Sequence, residues 1–590
     1  MREQLDFLLF DWLKVETLCA RPRFAEHSRE TFTAVLDTCE RMARERFAPL
    51  NRVVDAQEPQ FDGRQVRLPE GVGAALAAYV ESGMLAAAQD MDAGGMQLPC
   101  TVEMAGNAFF SKASVGLSAY AMLTSGNANL LMAHGTPRQR EVFARRELAG
   151  EWFGTMCLSE PQAGSSLSDI TTRAELEAEA DPLGPRYRLR GHKMWISGGE
   201  HELTPNIVHL VLAKIPGPDG KLVPGTRGIS LFIVPKWRVD AQGQLTGERN
   251  DVQLAGLNHK LGYRGTTNCL LNFGERAGAV GYLVGQPGEG LKCMFHMMNE
   301  ARIGVGTGAV MLGMAGYEAS LEYARQRPQG RAMGPAGKDA AAPQIPIIEH
   351  ADVRRMLLAQ KSYVEGGLAL ELYCARLVDE LHTGDAAAAQ ALLDVLIPIA
   401  KSWPSEWCLE ANSLAIQVLG GYGYTHDFPV EQYWRDNRLN MIHEGTHGIQ
   451  ALDLLGRKVV QRGGASMAAL TARVQATLER AMQSDWAAQA KQLAAALALL
   501  GGATQQAWST DEPTEALANA VPYLQAFGHT VVAWLWLDVA LASTGNGAGA
   551  QGRQAAARYF FAYELPKTAA WLDVVARRES VCRDIRPDWF

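Results

Sequence analysis

Residues His443-Glu444-Gly445-Thr446-His447 place two imidazoles around a carboxylate at the HExxH spacing of zinc-dependent proteases. That chemistry needs both histidines on one face of a regular helix, the glutamate as base and a third ligand further on. Gly445 followed by β-branched Thr446 weakens a helix at this point, and Asp453 is the only nearby acid downstream. If the histidines are incidental, Glu444 is left as a carboxylate in a glycine-flexed loop between two helical stretches. Such a loop suits a mobile base.

Three other segments could serve a ligand. Met156-Cys157-Leu158-Ser159-Glu160-Pro161-Gln162-Ala163-Gly164-Ser165-Ser166 gathers hydroxyls, a glycine and a proline in one irregular loop, where free backbone N–H groups can bond a flavin edge or a phosphate. A surface turn with satisfied serines would read the same. In Lys193-Met194-Trp195-Ile196-Ser197-Gly198-Gly199 the indole is either core or a platform for an aromatic cofactor. Gln417-Val418-Leu419-Gly420-Gly421-Tyr422-Gly423 allows close backbone approach to a nucleotide, or simply stops a helix. Gly304, Gly306 and Gly308 lack a preceding strand and a suitably placed acid, so they read as helix packing rather than a dinucleotide loop.

The elements that must position these residues fall into blocks. From about residue 28 to 150, apolar residues recur three and four apart, as in amphipathic helices. From about 151 to 280 come short β-branched or alternating runs such as NIVHLVLAKI and GISLFIVPK, which predict strands. Helical spacing returns from about Gly290 to Val460, with a Gly/Pro/Ala-rich loop from Arg327 to Pro346. An Ala-rich helical block occupies 461–590, divided by the flexible-looking run STGNGAGAQG at 543–552. The order is not that of a doubly wound nucleotide-binding fold.

With 590 residues the chain exceeds one core and suggests roughly three or four domains. A net charge of -8 gives no basic excess to neutralise a nucleic-acid backbone. Nine cysteines with no CxxC pair fit reduced thiols, and acids interrupt the apolar N-terminal run, so neither a disulfide framework nor a signal peptide is expected. Val531–Ala542 contains Asp538, falls short of the roughly 20 residues of a membrane span and predicts a buried helix. A cytoplasmic protein without an integral membrane segment is expected.

In order and spacing the four motifs resemble the acyl-CoA dehydrogenase family over about residues 28–460. Its segments read close to TEP-x-AGS, WIT-x-GG, QxxGGxG and YEGT. Here stand Ser159-Glu160-Pro161 with Ala163-Gly164-Ser165, Trp195-Ile196-Ser197, Gln417 with Gly420-Gly421 and Gly423, and Glu444-Gly445-Thr446. The 130-residue tail is similar to that of the large subfamily that includes methylmercaptopropionyl-CoA dehydrogenases. The resemblance implies a mainly α fold with a central β domain. Its parts would be an N-terminal extension (1–27), an N-terminal helical domain (28–152), a middle β-barrel-like domain (153–280), a C-terminal four-helix bundle carrying the base (281–460) and an extra helical domain (461–590).

By the same resemblance FAD is the cofactor. Met156, Leu158, Ser159 and Gly164 would meet it on one side, and Trp195, Ile196 and Ser197 on the other. Ser165 would touch both cofactor and acyl-CoA. Arg327 would hold the pyrophosphate of a neighbouring subunit's FAD, with Gln417, Gly420 and Gly421 reaching across the same interface, and Thr446 would touch the cofactor beside Glu444. Asn299, Arg302 and Gly445 would lie at the acyl-CoA. Glu444 would take the α-proton as hydride leaves the β-carbon for flavin N5, with the thioester carbonyl held by the Glu444 N–H and a ribityl hydroxyl. The product would be a trans-2-enoyl-CoA, the electron acceptor an electron-transfer flavoprotein and the assembly a homo-oligomer, a dimer above all. The chain departs from the family at Ser159 and Ser197 (Thr), Ser166 (Asp), His443 (Tyr) and Ala351 (Gln). Competing readings are an acyl-CoA oxidase, the zinc hydrolase and a non-catalytic nucleic-acid-binding relative. The last would use Arg577, Arg578, Arg583 and Arg586, although Asp573, Glu579, Asp584 and Asp588 interleave with them.

Overall fold

Ile207–Lys214 and Ile229–Pro235 are buried at every position, so both faces of the sheet they form must be covered. They pair antiparallel with Val211 opposite Phe232. In the computed structural model, which describes residues 1–590, they are central in an eight-stranded sheet. Its order is Val252–Leu257, Asn268–Phe273, Arg186–Ser197, Ala279–Val284, Ile229–Pro235, Ile207–Lys214 and Phe153–Cys157, with Arg173–Ala178 pairing off this path. Pairing is antiparallel except where Phe153–Cys157 and Arg173 meet the Ile207–Lys214 strand.

This sheet belongs to a mixed unit made of Glu30–Pro99 and Phe109–Ala301. Helix Arg29–Met42 buries Phe32, Leu36 and Cys39, the four- and three-residue spacing that places side chains on one face. The helix Val115–His134 docks on the sheet through Asn127, whose Nδ2 donates to the carbonyls of Thr155 at 3.0 Å and Val208 at 2.8 Å.

A helical unit gathers Met1–Arg29, Cys100–Ala108 and Arg302–Phe590. Its long helices are the later turns of Gly290–Gln326, then Ala351–Thr383, Ala386–Leu419 and Ala520–Ala542. Gly306 lets two of them approach: a Cβ there would sit 2.2 Å from the Ala400 carbonyl and 2.4 Å from Glu371 Oε1. The glycine run at 304–308 thus lies inside a helix, where Gly306 serves packing.

Helix Ala520–Ala542 has 23 residues and is apolar enough by length and composition to cross a membrane, yet 83% of its most apolar window is buried. It is a core helix. Trp536, 1% exposed, donates from Nε1 to the Ser362 carbonyl at 3.0 Å. The same helix draws in the N-terminal segment: Trp12 Nε1 donates to Asp538 Oδ2 at 2.8 Å. The Arg553 guanidinium lies 3.6 Å from the centre of the Phe7 ring. The glycine-rich run at 543–552 is only partly a break, because helix Ala548–Tyr559 begins inside it. There Gly549 leaves room for Glu3 Oε1, 2.2 Å from where a Cβ would stand.

Trp536→Ala should open a cavity between helices and cost about 3–5 kcal/mol. The check is a lowered thermal midpoint, with a smaller loss for Trp536→Phe.

Candidate active site

In the mixed unit a buried ion pair joins two of the sequence motifs. Lys193, fully buried, donates from Nζ to Glu160 Oε1 at 3.0 Å and to the Leu158 carbonyl at 2.9 Å. Glu160 also accepts from the N–H and hydroxyl groups of Thr171 and Thr172. Burial works against its charge, but Lys193 and these donors prevail and hold the carboxyl at about 2. Met194 N–H donates to the Ser159 carbonyl at 3.0 Å, so the loop after Phe153–Cys157 lies directly against the strand that carries Trp195.

That strand is irregular where it matters. Ile196 lies opposite Cys269 and Lys193 opposite Leu271, so two residues, Met194 and Trp195, face one, Leu270. A bulge of this kind re-aims side chains. Trp195 takes φ +66° and leaves its side chain 57% exposed, which decides against a core role. Ile196 packs into the core, and Ser197 Oγ accepts from Asn268 Nδ2 at 3.4 Å. Met156, Leu158 and Ser159 are half-buried, and Gly164 and Ser165 are exposed.

In the helical unit Glu444 occupies a turn, not a helix. Its φ is +53° and that of Gly445 is +91°. At that φ any other residue at Gly445 would be strained, and its Cβ would also press on Gln450 Nε2, 2.5 Å away. The turn is pinned at consecutive carbonyls, Glu444 O accepting from Gln450 Nε2 at 3.0 Å and Gly445 O from Lys401 Nζ at 2.6 Å. Thr446 then caps helix His447–Asp453. His447 begins that helix and approaches Glu406 at 3.5 Å, while His443 precedes the turn and pairs with Asn440 at 3.0 Å. The two histidines do not share the regular helical face that the HExxH chemistry requires.

Glu444 is half-buried, and its low-dielectric surroundings push the carboxyl up, while the positive charges of Arg302 and Lys401 pull it part of the way back. Arg302 is buried and lies 3.8 Å from Asp453. Burial and Arg302 push Lys401 down to about 7, against the opposing pull of Glu444. Asn299 is half-buried, one turn before Arg302 on the same helix.

A second surface of the helical unit joins Arg327 to the Gln417–Gly423 stretch, with the guanidinium 5.7 Å from the Tyr422 ring centre. Arg327, Gln417, Gly420 and Gly421 are exposed, and open space surrounds the positions where side chains would begin on both glycines. The tail arginines are paired: Arg577 with Asp573 at 3.1 Å, Arg578 with Glu515 at 3.1 Å, Arg583 with Asp584 at 2.6 Å and Arg586 with Asp588 at 2.9 Å. Their surface is one of mixed charge.

Sequence reasoning singled out Glu444 and the loop glycines but missed Lys401, Gln450 and the Lys193–Glu160 pair. A lone lysine within the apolar run LLDVLIPIAKSWP was the available signal for Lys401.

Residues 155–275 match the acyl-CoA dehydrogenase middle domain, 288–459 the acyl-CoA dehydrogenase C-terminal domain and 470–586 the acetyl-CoA dehydrogenase C-terminal-like domain. The chain therefore belongs to the acyl-CoA dehydrogenase family, FAD-dependent oxidoreductases that dehydrogenate acyl-CoA thioesters. It is 34% identical to the 3-methylmercaptopropionyl-CoA dehydrogenase of Ruegeria pomeroyi, over 95% of this chain and 94% of that one. To the broad-specificity linear acyl-CoA dehydrogenase of Mycobacterium tuberculosis it is 31% identical, over 98% and 96%. The fold matches Caenorhabditis elegans ACDH-11, solved with C11-CoA, at a TM-score of 0.78 and 19% identity, covering 97% of this chain and 94% of that one. A Bacillus anthracis acyl-CoA dehydrogenase complexed with FAD matches at 0.73 and 20% identity, over 94% and 89%. In the mixed unit the exposed Trp195 indole and the open position at Gly164 could hold a flavin ring and its polar edge, and in the helical unit the exposed Arg327 with the open Gly420 and Gly421 could hold a phosphate.

Lys193→Met should leave Glu160 charged and unpaired, costing about 3–5 kcal/mol, and Lys193→Met/Glu160→Gln should recover part of it. In the unaltered protein the Glu160 contribution is present above the ordinary value of 4.5 and is lost as pH falls towards about 2. Urea titrations between pH 3 and 7 should show this acid-side loss and its flattening in Glu160→Gln.

Proposed function

We propose that Glu444 is the base that removes the α-proton of an acyl-CoA thioester, giving a trans-2-enoyl-CoA. The observation carrying this reading is the left-handed Glu444–Gly445 turn, where burial raises a carboxyl that Arg302 and Lys401 still favour in its charged form. A proton next to a thioester is weakly acidic, so a base withdrawn from water gains proton affinity where it is needed. The Glu444 N–H would donate to the thioester carbonyl and stabilise its developing negative charge. Asn299, Arg302, Gly445 and Ser165 are assigned to the acyl-CoA.

Bound FAD supplies a hydride acceptor for the β-carbon. Met156, Leu158, Ser159, Gly164 and Ser165 are assigned to it, together with Trp195, Ile196, Ser197 and Thr446. The Trp195 indole offers a face for stacking, and the Lys193–Glu160 pair keeps the neighbouring loop in register. Arg327, Gln417, Gly420 and Gly421 are assigned to the pyrophosphate of a partner subunit's cofactor, which makes a dimer the functional assembly. An electron-transfer flavoprotein is the acceptor and the cytoplasm the compartment. The names of the relatives cover a sulfur-bearing acyl chain and linear ones. A panel of such thioesters scored by flavin bleaching identifies the substrate, and hydrogen peroxide release marks an oxidase instead.

Glu444→Gln should purify yellow and fail to bleach with any acyl-CoA. Normal bleaching by that variant rejects the assignment. In the wild type the bleaching rate should fall as pH drops through the raised Glu444 value, because the protonated carboxyl cannot accept the α-proton. Stopped-flow absorbance across pH reads this limb.

A further inference from the structure

Lys401 stands in helix Ala386–Leu419 between Pro398 and Pro404, with none of its side chain exposed. A buried lysine is costly unless an acceptor or a counter-charge holds it. Its acceptor is the Gly445 carbonyl, 2.6 Å away, in the peptide that follows the base. Gln450 Nε2 holds the preceding carbonyl, that of Glu444, at 3.0 Å. Two successive residues at positive φ are therefore fixed by two side chains from different helices, and only Lys401 also brings charge to the turn.

Resting on the reading of Glu444 as base, we infer that Lys401 is a positioning residue for this reaction: its ammonium clamps the Gly445 carbonyl, fixes the turn that aims Glu444 and supports the charged form of the carboxylate. The charged and titratable groups around it include Glu444 on the turn and Arg302 on the long helix, which in turn faces Asp453 and Arg457. Glu371, whose carboxyl burial pushes well above its ordinary range, borders Gly306 together with the carbonyl of Ala400, the residue preceding Lys401. His529, buried and held below its ordinary range by desolvation, accepts from Trp403 Nε1 at 3.0 Å on the same helix as Lys401. Of these, only Arg302 adds a second positive charge facing Glu444. A neutral lysine still donates to Gly445, so the clamp survives loss of its proton near pH 7 and only the supporting charge is lost.

The test uses flavin-loaded full-length protein and the linear acyl-CoA, from butyryl to palmitoyl, that bleaches the wild type fastest. Lys401→Met should slow anaerobic bleaching about 10- to 100-fold, the range for losing one charge-assisted hydrogen bond. Flavin content and the acyl-CoA dissociation constant should change less than about threefold. Without the ammonium the carboxyl becomes harder to ionise, so the acid limb of the bleaching rate should move to higher pH. Lys401→Gln keeps a donor but no charge. It should recover part of the rate yet show the same upward limb shift, and it decides the matter if Lys401→Met does not fold. An unmoved limb in Lys401→Gln, a wild-type rate in Lys401→Met, or a rate loss matched by loss of acyl-CoA affinity overturns the inference. Glu444→Gln run alongside separates the two readings: normal bleaching there removes the base itself, whereas an inactive Glu444→Gln with an unaffected Lys401→Met removes only the role of the lysine.

Discussion

A carboxylate used as a base must be shielded from water to gain proton affinity, yet must not be so shielded that it stays protonated. Around Glu444, the base we propose, these demands meet in one turn. Burial raises the carboxyl, and two buried cations, Arg302 and Lys401, oppose that rise. The compromise needs helices that are rigid and close together, because a cation contributes this way only when it is held out of solvent. Pro398 and Pro404 flank Lys401, and Gly306 admits the neighbouring helix to within contact of the Ala400 carbonyl.

The mixed unit solves a different problem with the same means. Its loop after Phe153–Cys157 has only short regular pieces, a Glu160–Ala163 bridge and the turn Leu167–Asp169, and the Lys193–Glu160 pair adds to the Met194–Ser159 backbone bond in holding it to the strand. A buried pair of this kind is weak as a source of net stability but strongly selective for one arrangement, since each partner alone is costly. The bulge lets both neighbours keep their places: Lys193 points inward to Glu160, and two residues later the indole faces outward at positive φ, where a regular strand would put both on one face.

Much of this was legible in the residues. Phe32, Leu36 and Cys39 announce their helix by spacing and NIVHLVLAKI its strand by its β-branched run, whereas the burial of that strand on both faces came from the structure. Glu444 was legible because Gly445 and Thr446 spoil the helix that HExxH would need. Lys401 was not, because a single lysine in an apolar helix gives no periodic signal and its acceptor is a backbone carbonyl 44 residues away. The helix Ala520–Ala542 was only half visible: its apolar core from Val531 showed, whereas its earlier turns bury Tyr523 and His529 through partners that sequence spacing does not reveal.

Trp12 bonds to Asp538, 526 positions later, and Phe7 lies under Arg553. A growing polypeptide reaches the first member of each pair long before the second exists. During synthesis Phe7 and Trp12 therefore lack these partners until the last helices have been made. Pairings this far apart in sequence form late, so closure of the helical unit follows synthesis of its last helices.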